Sequence, residues 1–228
     1  MSQGRTAVHH FFKSSRPRGN VVFNFRGRAI NDLSAFAAGY HEAGKTLISK
    51  MESVAGYRDY EGYPILFLYR HALELYLKAI VYRGAQLLGL ISDEKPNTEK
   101  LLTSHKLTRF LPTIEAIFRA VEWKWDFDVS GLKSFDDFAD LIREFADLIR
   151  EIEKIDPQSY CFRYPVTTTG EAPLSKHFVV NVVNFGKNMD SVLDLLSGAV
   201  TGLQEQWDDT AEVMYLLQEV LKEPKDEG

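Results

Sequence analysis

From Tyr63 to Ile80 the chain reads Tyr-Pro-Ile-Leu-Phe-Leu-Tyr-Arg-His-Ala-Leu-Glu-Leu-Tyr-Leu-Lys-Ala-Ile, with apolar residues at almost every angle around a helix drawn through it. A helix that is apolar on all sides belongs in the middle of a packed structure, so the remaining elements must surround this one. One stripe breaks the pattern. Arg70, His71, Glu74 and Lys78 stand at i, i+1, i+4 and i+8, on one side of the rod. Charges on a buried helix have to be paired or used. Glu74 lies four residues from Arg70 and three from His71, within reach of both. The stripe therefore reads either as a buried ion pair tying helices together or as the floor of a binding site.

Around this rod the sequence lays out further helices. Asp32 caps one over Leu33–Val54, with Phe36, Tyr40, Ala43, Leu47 and Met51 as its apolar stripe. The central helix starts at Pro64, where a missing N–H costs nothing, and runs to Ile91. Ser92–Thr103 reads as a polar loop containing Pro96 and Asn97. Ser104 caps a third helix from His105 to Trp123, and Pro112 predicts a kink or break in it near Leu111. Between Phe138 and Glu151 the heptad Phe-Ala-Asp-Leu-Ile-Arg-Glu occurs twice, stacking Phe138, Leu141 and Ile142 above Phe145, Leu148 and Ile149. That pattern gives a bundle helix or a dimer seam.

Asp156-Pro157 ends the heptad helix, and Gln158–Pro173 is irregular. A long helix over Ser175–Gln206, interrupted by Gly186, Gly198 and Gly202, precedes a separate short one at Asp208–Leu221. The apolar run Phe178–Val183 reads as core. No strand pair with a hairpin turn is evident. The expected fold class is all-α: one up-and-down helical-bundle domain over residues 31–222 with extra C-terminal helices. A flexible basic tail covers 1–30, and a disordered C-terminus covers 223–228.

Charge is unevenly spread. Residues 1–31 hold Arg5, Lys13, Arg16, Arg18, Arg26 and Arg28 and no acid. Removing those six from 27 basic residues leaves 21 against 32 acidic ones, a balance of −11 for the rest. Such a body is a poor non-specific binder of nucleic acid, whose affinity comes from neutralising phosphates. The tail, with His9, His10, Phe11 and Phe12 among its basic groups, can touch RNA or an acidic surface. It reads equally as a mobile solvated terminus or, less readily, as an acid-poor transit peptide. No apolar stretch approaches the roughly 20 residues that span a bilayer. The one cysteine, Cys161, forms no internal disulfide and suits a reducing, cytoplasmic setting.

Familiar catalytic signatures are missing. The sequence holds no phosphate-cradling glycine loop, paired-cysteine zinc motif, His-Glu-x-x-His helix or Gly-x-Ser-x-Gly elbow. The six histidines are scattered, so neither a metal site nor a cofactor is expected. Cys161 has Arg163 two residues away, which makes it either an activated nucleophile or an inert buried thiol.

The phrase Arg-His-Ala-Leu-Glu-Leu-Tyr-Leu-Lys-Ala-Ile, a variable loop, then Ser104-His105-Lys106-Leu107 at the next helix start resembles the HEPN domain superfamily. The helix at Leu33–Val54 looks like that family's first helix, and Phe162–Pro165 is similar to a segment of longer bacterial members. The resemblance covers roughly residues 30–206. It implies a compact bundle, frequent homodimers, and roles in RNA cleavage, toxin–antitoxin pairs or antiviral defence. Active ribonucleases of the group carry an Arg and a His four to six residues apart on a later helix. Here only Arg5 and His10 have that spacing, in the tail, while Arg163 and His177 lie too far apart. Arg70, Glu74, Lys78 and His105 match family positions, and a catalytic dyad does not carry over.

Three functions remain open. The first is non-catalytic binding of RNA, a nucleotide or an antitoxin-like partner protein through Arg70, Glu74, Lys78, His105 and Arg163. The second is a divergent ribonuclease with His71 and His105 as acid and base beside Arg70. The third is a structural homodimer joined through the heptads.

Overall fold

The computed structural model describes residues 21, 29–53, 56, 59–91, 99–121, 135–174 and 179–222, with backbone alone at 29, 91, 99, 101, 135–144 and 220–222. The expected basic tail, apart from Val21, Ala29 and Ile30, lies outside the described residues. So do residues 92–98 of the polar loop, the Trp123 end of the third helix and the C-terminus at 223–228. Among the described residues the protein is all helical, a bundle of α1 (Leu33–Ser53), α2 (Asp59–Ile91), α3 (Glu99–Leu102), α4 (Leu111–Ala120), α5 (Phe135–Ile155) and α6 (Val182–Lys222). Short 3-10 turns at Ala29–Asp32 and Leu107–Arg109 lead into α1 and α4.

The apolar rod is the centre of the molecule. Ile65, Tyr69, Ala72, Leu73, Leu77, Ile80 and Leu87 of α2 are fully buried. α1 returns antiparallel along it, since Asn31 meets Tyr82 and Arg83 while Tyr40 meets His71 and Gly44 meets the Tyr69 ring. α6 runs parallel to α2, with Gly62 facing Val182 and Tyr69 facing Phe185 and Asp190. On another side Gly84 lets α4 approach so closely that an added Cβ would stand 2.5 Å from Ile117 Cγ2. Phe145, Ile149 and Ile152 of α5 join the same core, so the second heptad faces the chain's own interior.

Several boundaries differ from the sequence reading. α2 starts at Asp59, placing Pro64 inside the helix; Asp59 and Glu61 in the first turn favour an earlier start. The polar loop contains the short helix α3. The third helix is indeed broken at Leu111, with Pro112 in the first turn of α4. Ser104 accepts the Lys106 N–H (3.1 Å) but precedes a 3-10 turn, not an α-helix.

The C-terminal part is one continuous helix. α6 begins after Asn181, whose Oδ1 accepts the Asn184 N–H (3.0 Å), and passes through Gly186, Gly198, Gly202 and Asp208 without a break. A helical glycine costs only about 1 kcal/mol, which packing on α2 outweighs. The run Phe178–Val183 is not all core, because Val179 is 99% exposed and ahead of the helix. The face of α1 is turned by one residue from expectation. Ala37, His41, Gly44 and Ile48 are buried and the expected Tyr40, Leu47 and Met51 pack beside them, whereas Phe36 and Ala43 are exposed. Gly44 permits the close approach of Tyr69, and Ala37, seven residues earlier, lies on the same buried face.

Candidate functional site

The stripe on α2 is buried, and its charges are paired. Arg70 and Glu74 are each 1% exposed. Arg70 Nη1 donates to Glu74 Oε2 (2.9 Å), one helical turn on, and Nη2 donates to the His105 carbonyl (2.9 Å) ahead of the 3-10 turn. Lys78 Nζ donates to Glu74 Oε1 (2.8 Å), the same oxygen that meets His105 Nδ1 at 2.9 Å. Glu74 thus gathers three cationic or potentially cationic partners. Burial pushes its pKa up, but the hydrogen bonds and charges of Lys78 and Arg70 outweigh that and hold it below the usual carboxylate range. An ionised Glu74 can only accept, so His105 Nδ1 is the donor and carries the ring hydrogen.

No pattern along the chain pointed to the fourth charge. Asp156, fully buried, follows α5 and faces Arg70 from a distance of 86 residues along the chain. Its Oδ2 stands 3.2 Å from Arg70 Nε without hydrogen-bond alignment; the Nε–H is shared instead with the Asp156 carbonyl (3.4 Å). Oδ1 accepts the N–H groups of Tyr160 (2.6 Å) and Cys161 (3.0 Å), folding the chain back after Pro157. The Asp-Pro pair, read as a helix stop, is also an anchor. Arg70 and Lys78 against Glu74 and Asp156 make a neutral set, so the buried part needs no ligand to balance it.

The remaining predicted residues sit at the margin. His105 is the exposed member of the network, its side chain 57% accessible. His71 does not bond Glu74; its ring stacks on Phe67 (5.4 Å, 13° between planes) and meets the edge of Tyr40 (4.5 Å). Burial, helped by the nearby positive charges of Arg163, Lys78 and Arg70 against the pull of Glu74, lowers its pKa. Arg163 is exposed, its guanidinium 5.6 Å from the ring centroids of both Phe67 and Tyr164, and its Nε donates to the Ser159 carbonyl. Cys161 is buried, and burial followed by the Asp156 charge pushes its thiol up to about 11. A thiol so poorly ionised fits the inert reading.

A second polar cluster joins α1, α2 and α6. His41 Nε2 and the Tyr69 hydroxyl both contact Asp190 Oδ1, at 2.7 and 2.9 Å. His41 Nδ1 also lies 3.9 Å from Asp194, which Lys45 approaches at 3.8 Å. Burial and then the hydrogen bond to Asp190 raise the Tyr69 pKa well above its ordinary value, so it acts as a fixed donor. Sequence reading counted His41 only as one of six scattered histidines; its signal was a polar residue at the i+4 position from Ala37 on a buried face.

Among the described residues no group of His, Cys, Asp and Glu has the makings of a metal site, and no helix is long and apolar enough to cross a membrane. No family model, curated protein or solved structure matches the chain.

Proposed function

We propose that this chain is a HEPN-like helical protein that binds the phosphate groups of RNA or a nucleotide at the rim of the α2 network, without itself cleaving them. One observation carries the reading: His105 alone in the network is open to solvent while its Nδ1 is fixed by the buried, ionised Glu74. Arg70, Glu74 and Asp156 serve as its support, because each is out of water and engaged within the protein. Arg163, held over two aromatic rings, and Lys78, at the edge of burial, supply positive charge beside His71. Charge-assisted bonds from such groups to phosphate oxygens are strong and need no reaction.

Isothermal titration with mononucleotides and short RNAs is the test. The expected result is binding that weakens about tenfold or more in Arg163→Ala and in His105→Ala, the latter contact being made by the imidazolium form, whose Nε2–H can donate to a phosphate oxygen. Heat from none of the panel overturns the proposal and points to a partner protein at this rim. A ribonuclease reading has one observation in its favour: the fixed Nδ1–H leaves Nε2 as the basic nitrogen of a neutral His105, the arrangement of a general base. RNA cleavage lost in His105→Ala would establish that reading instead.

A further inference from the structure

Three separate segments contribute flat side chains to one continuous row beside the α2 network. Tyr160 and Tyr164, in the turn after α5, lie ring to ring at 4.6 Å. The Arg163 guanidinium is 5.6 Å from the Tyr164 centroid and 5.6 Å from that of Phe67 on α2. Phe67 stacks on His71 one turn along, and His71 meets Tyr40 of α1. The row is only partly covered: its α1 and α2 members and Tyr160 are half-buried, Tyr164 is 48% exposed and Arg163 is exposed. Phe67, His71, Glu74 and Lys78 fall within about 60° of one another around α2, so the row and the carboxylate that orients His105 share one helix face. Phe67 stands two turns from Glu74, about 10 Å along the axis.

The turn that presents Arg163 and Tyr164 is set by the protein itself. Asp156 Oδ1 fixes the N–H groups of Tyr160 and Cys161, and the Tyr160 carbonyl accepts the N–H groups of Arg163 (3.1 Å) and Tyr164 (3.2 Å). Ser159 is held at φ 58°, a left-handed conformation that costs a residue with a side chain free energy, and its carbonyl accepts from Arg163 Nε. Side chains positioned in advance lose little freedom when something binds them.

Charge selects the occupant. An aromatic surface of this kind takes either a proline-rich peptide or a nucleobase. The segment that carries His105 is basic: between Glu99 and Glu115 the chain has Lys100, His105, Lys106 and Arg109, all exposed, and no acid. Glu153 of α5, which reaches this segment, is engaged by the Thr108 N–H (2.9 Å). Cations alongside stacked rings match a phosphate chain with unpaired bases. We propose that the row is a base-stacking platform: with the phosphates of a single RNA strand at the His105 rim, an unpaired base of that strand stacks on Tyr164 and Arg163. The inference rests on the phosphate-binding reading above and adds that the ligand is single-stranded, because bases within a duplex keep their faces on one another.

A trinucleotide RNA whose central base is 2-aminopurine, a fluorophore quenched by stacking, tests the platform beside the same strand with that base removed. The wild type is expected to bind the first about tenfold more tightly than the second and to quench its fluorescence. In Tyr164→Ala the preference and the quenching disappear while the abasic strand binds as before, and Tyr164→Trp restores both. Equal affinity of the wild type for the two strands, or quenching and affinity unchanged in Tyr164→Ala, overturns the platform and leaves the phosphate reading standing. If neither strand binds, both fall together.

Discussion

Removing the Glu74 carboxylate isolates the largest electrostatic quantity in the fold. In Glu74→Leu, Arg70 loses its Nη1 partner at 2.9 Å, Lys78 loses its 2.8 Å partner and His105 loses the acceptor of its ring N–H. Lys78, with about a tenth of its side chain still accessible, can extend to water along its flexible stem. Arg70 cannot. It keeps the His105 carbonyl and the unaligned Asp156 carboxylate, and its charge stays buried at 1% exposure. Breaking one side of a buried pair costs about 3–5 kcal/mol. Against a whole-domain stability of about 5–15 kcal/mol, this lowers Tm by roughly 6–20 °C for a chain of this size. Removing both partners, as in Arg70→Met with Glu74→Leu, abolishes the stranded guanidinium but leaves Asp156 buried without it, so the double variant is expected to lose less than the sum of the two single losses. Urea denaturation followed by circular dichroism measures the wild type, Arg70→Met, Glu74→Leu and the double variant. A loss below about 1 kcal/mol in Glu74→Leu, or strictly additive losses in the double variant, refutes the view that the stripe is a mutually satisfied buried network.

Two further outcomes follow from the same structure. Stability is expected to fall in acid in two stages, read by denaturation midpoints from pH 8 to pH 3. The folded pKa of His71 lies below its ordinary value, so the unfolded chain binds that proton first and stability begins to fall as pH drops through about 6.5. Glu74 is also depressed, so its contribution is complete above about pH 4.5 and is lost as pH falls further through its folded value. A midpoint that rises between pH 7 and pH 5 contradicts this sign. Gly44→Ala is expected to destabilise by about 1–3 kcal/mol, because the new Cβ would stand 2.8 Å from the Tyr69 ring, whose hydroxyl is pinned on Asp190. Unchanged stability would mean that α1 can move away from α2 at no cost.

What the sequence revealed depended on how local each signal was. The apolar rod, the helix start after Asp32, the break at Pro112 and the heptads of α5 are patterns over a few turns, and the all-α fold followed from them. The Arg70–Glu74–Lys78 stripe was legible because its spacing is intrahelical. Asp156 was not, since the partner that explains it comes from another helix and the nearer cue, Pro157, pointed only to a chain stop. The true face of α1 was hidden for a related reason: Phe36 is more apolar than Ala37, but the tight Tyr69 contact selects for smallness over greasiness. Likewise three glycines suggested breaks in α6. Gly186 instead marks a close approach, with a Cβ there colliding with Ile48 and lying 3.2 Å from the Tyr69 hydroxyl.

The layout of charge separates holding the fold together from meeting a ligand. Arg70 joins three parts of the chain at one point: Glu74 on its own helix, the His105 carbonyl before α4, and Asp156 after α5. Since, with Lys78 on Glu74, those charges cancel, they fix position without exerting a strong field on what lies outside. His105 receives from them an orientation, through Glu74, and is the member whose side chain is most open to solvent. The residues that hold the network and those proposed to bind are therefore neighbours, with Lys78 alone in both groups. His105→Ala removes an exposed ring and leaves the backbone carbonyl that Arg70 uses, so it strips the rim while sparing the support. Glu74→Leu does the reverse: it disorders the support first, and any loss of binding is a consequence of the fold.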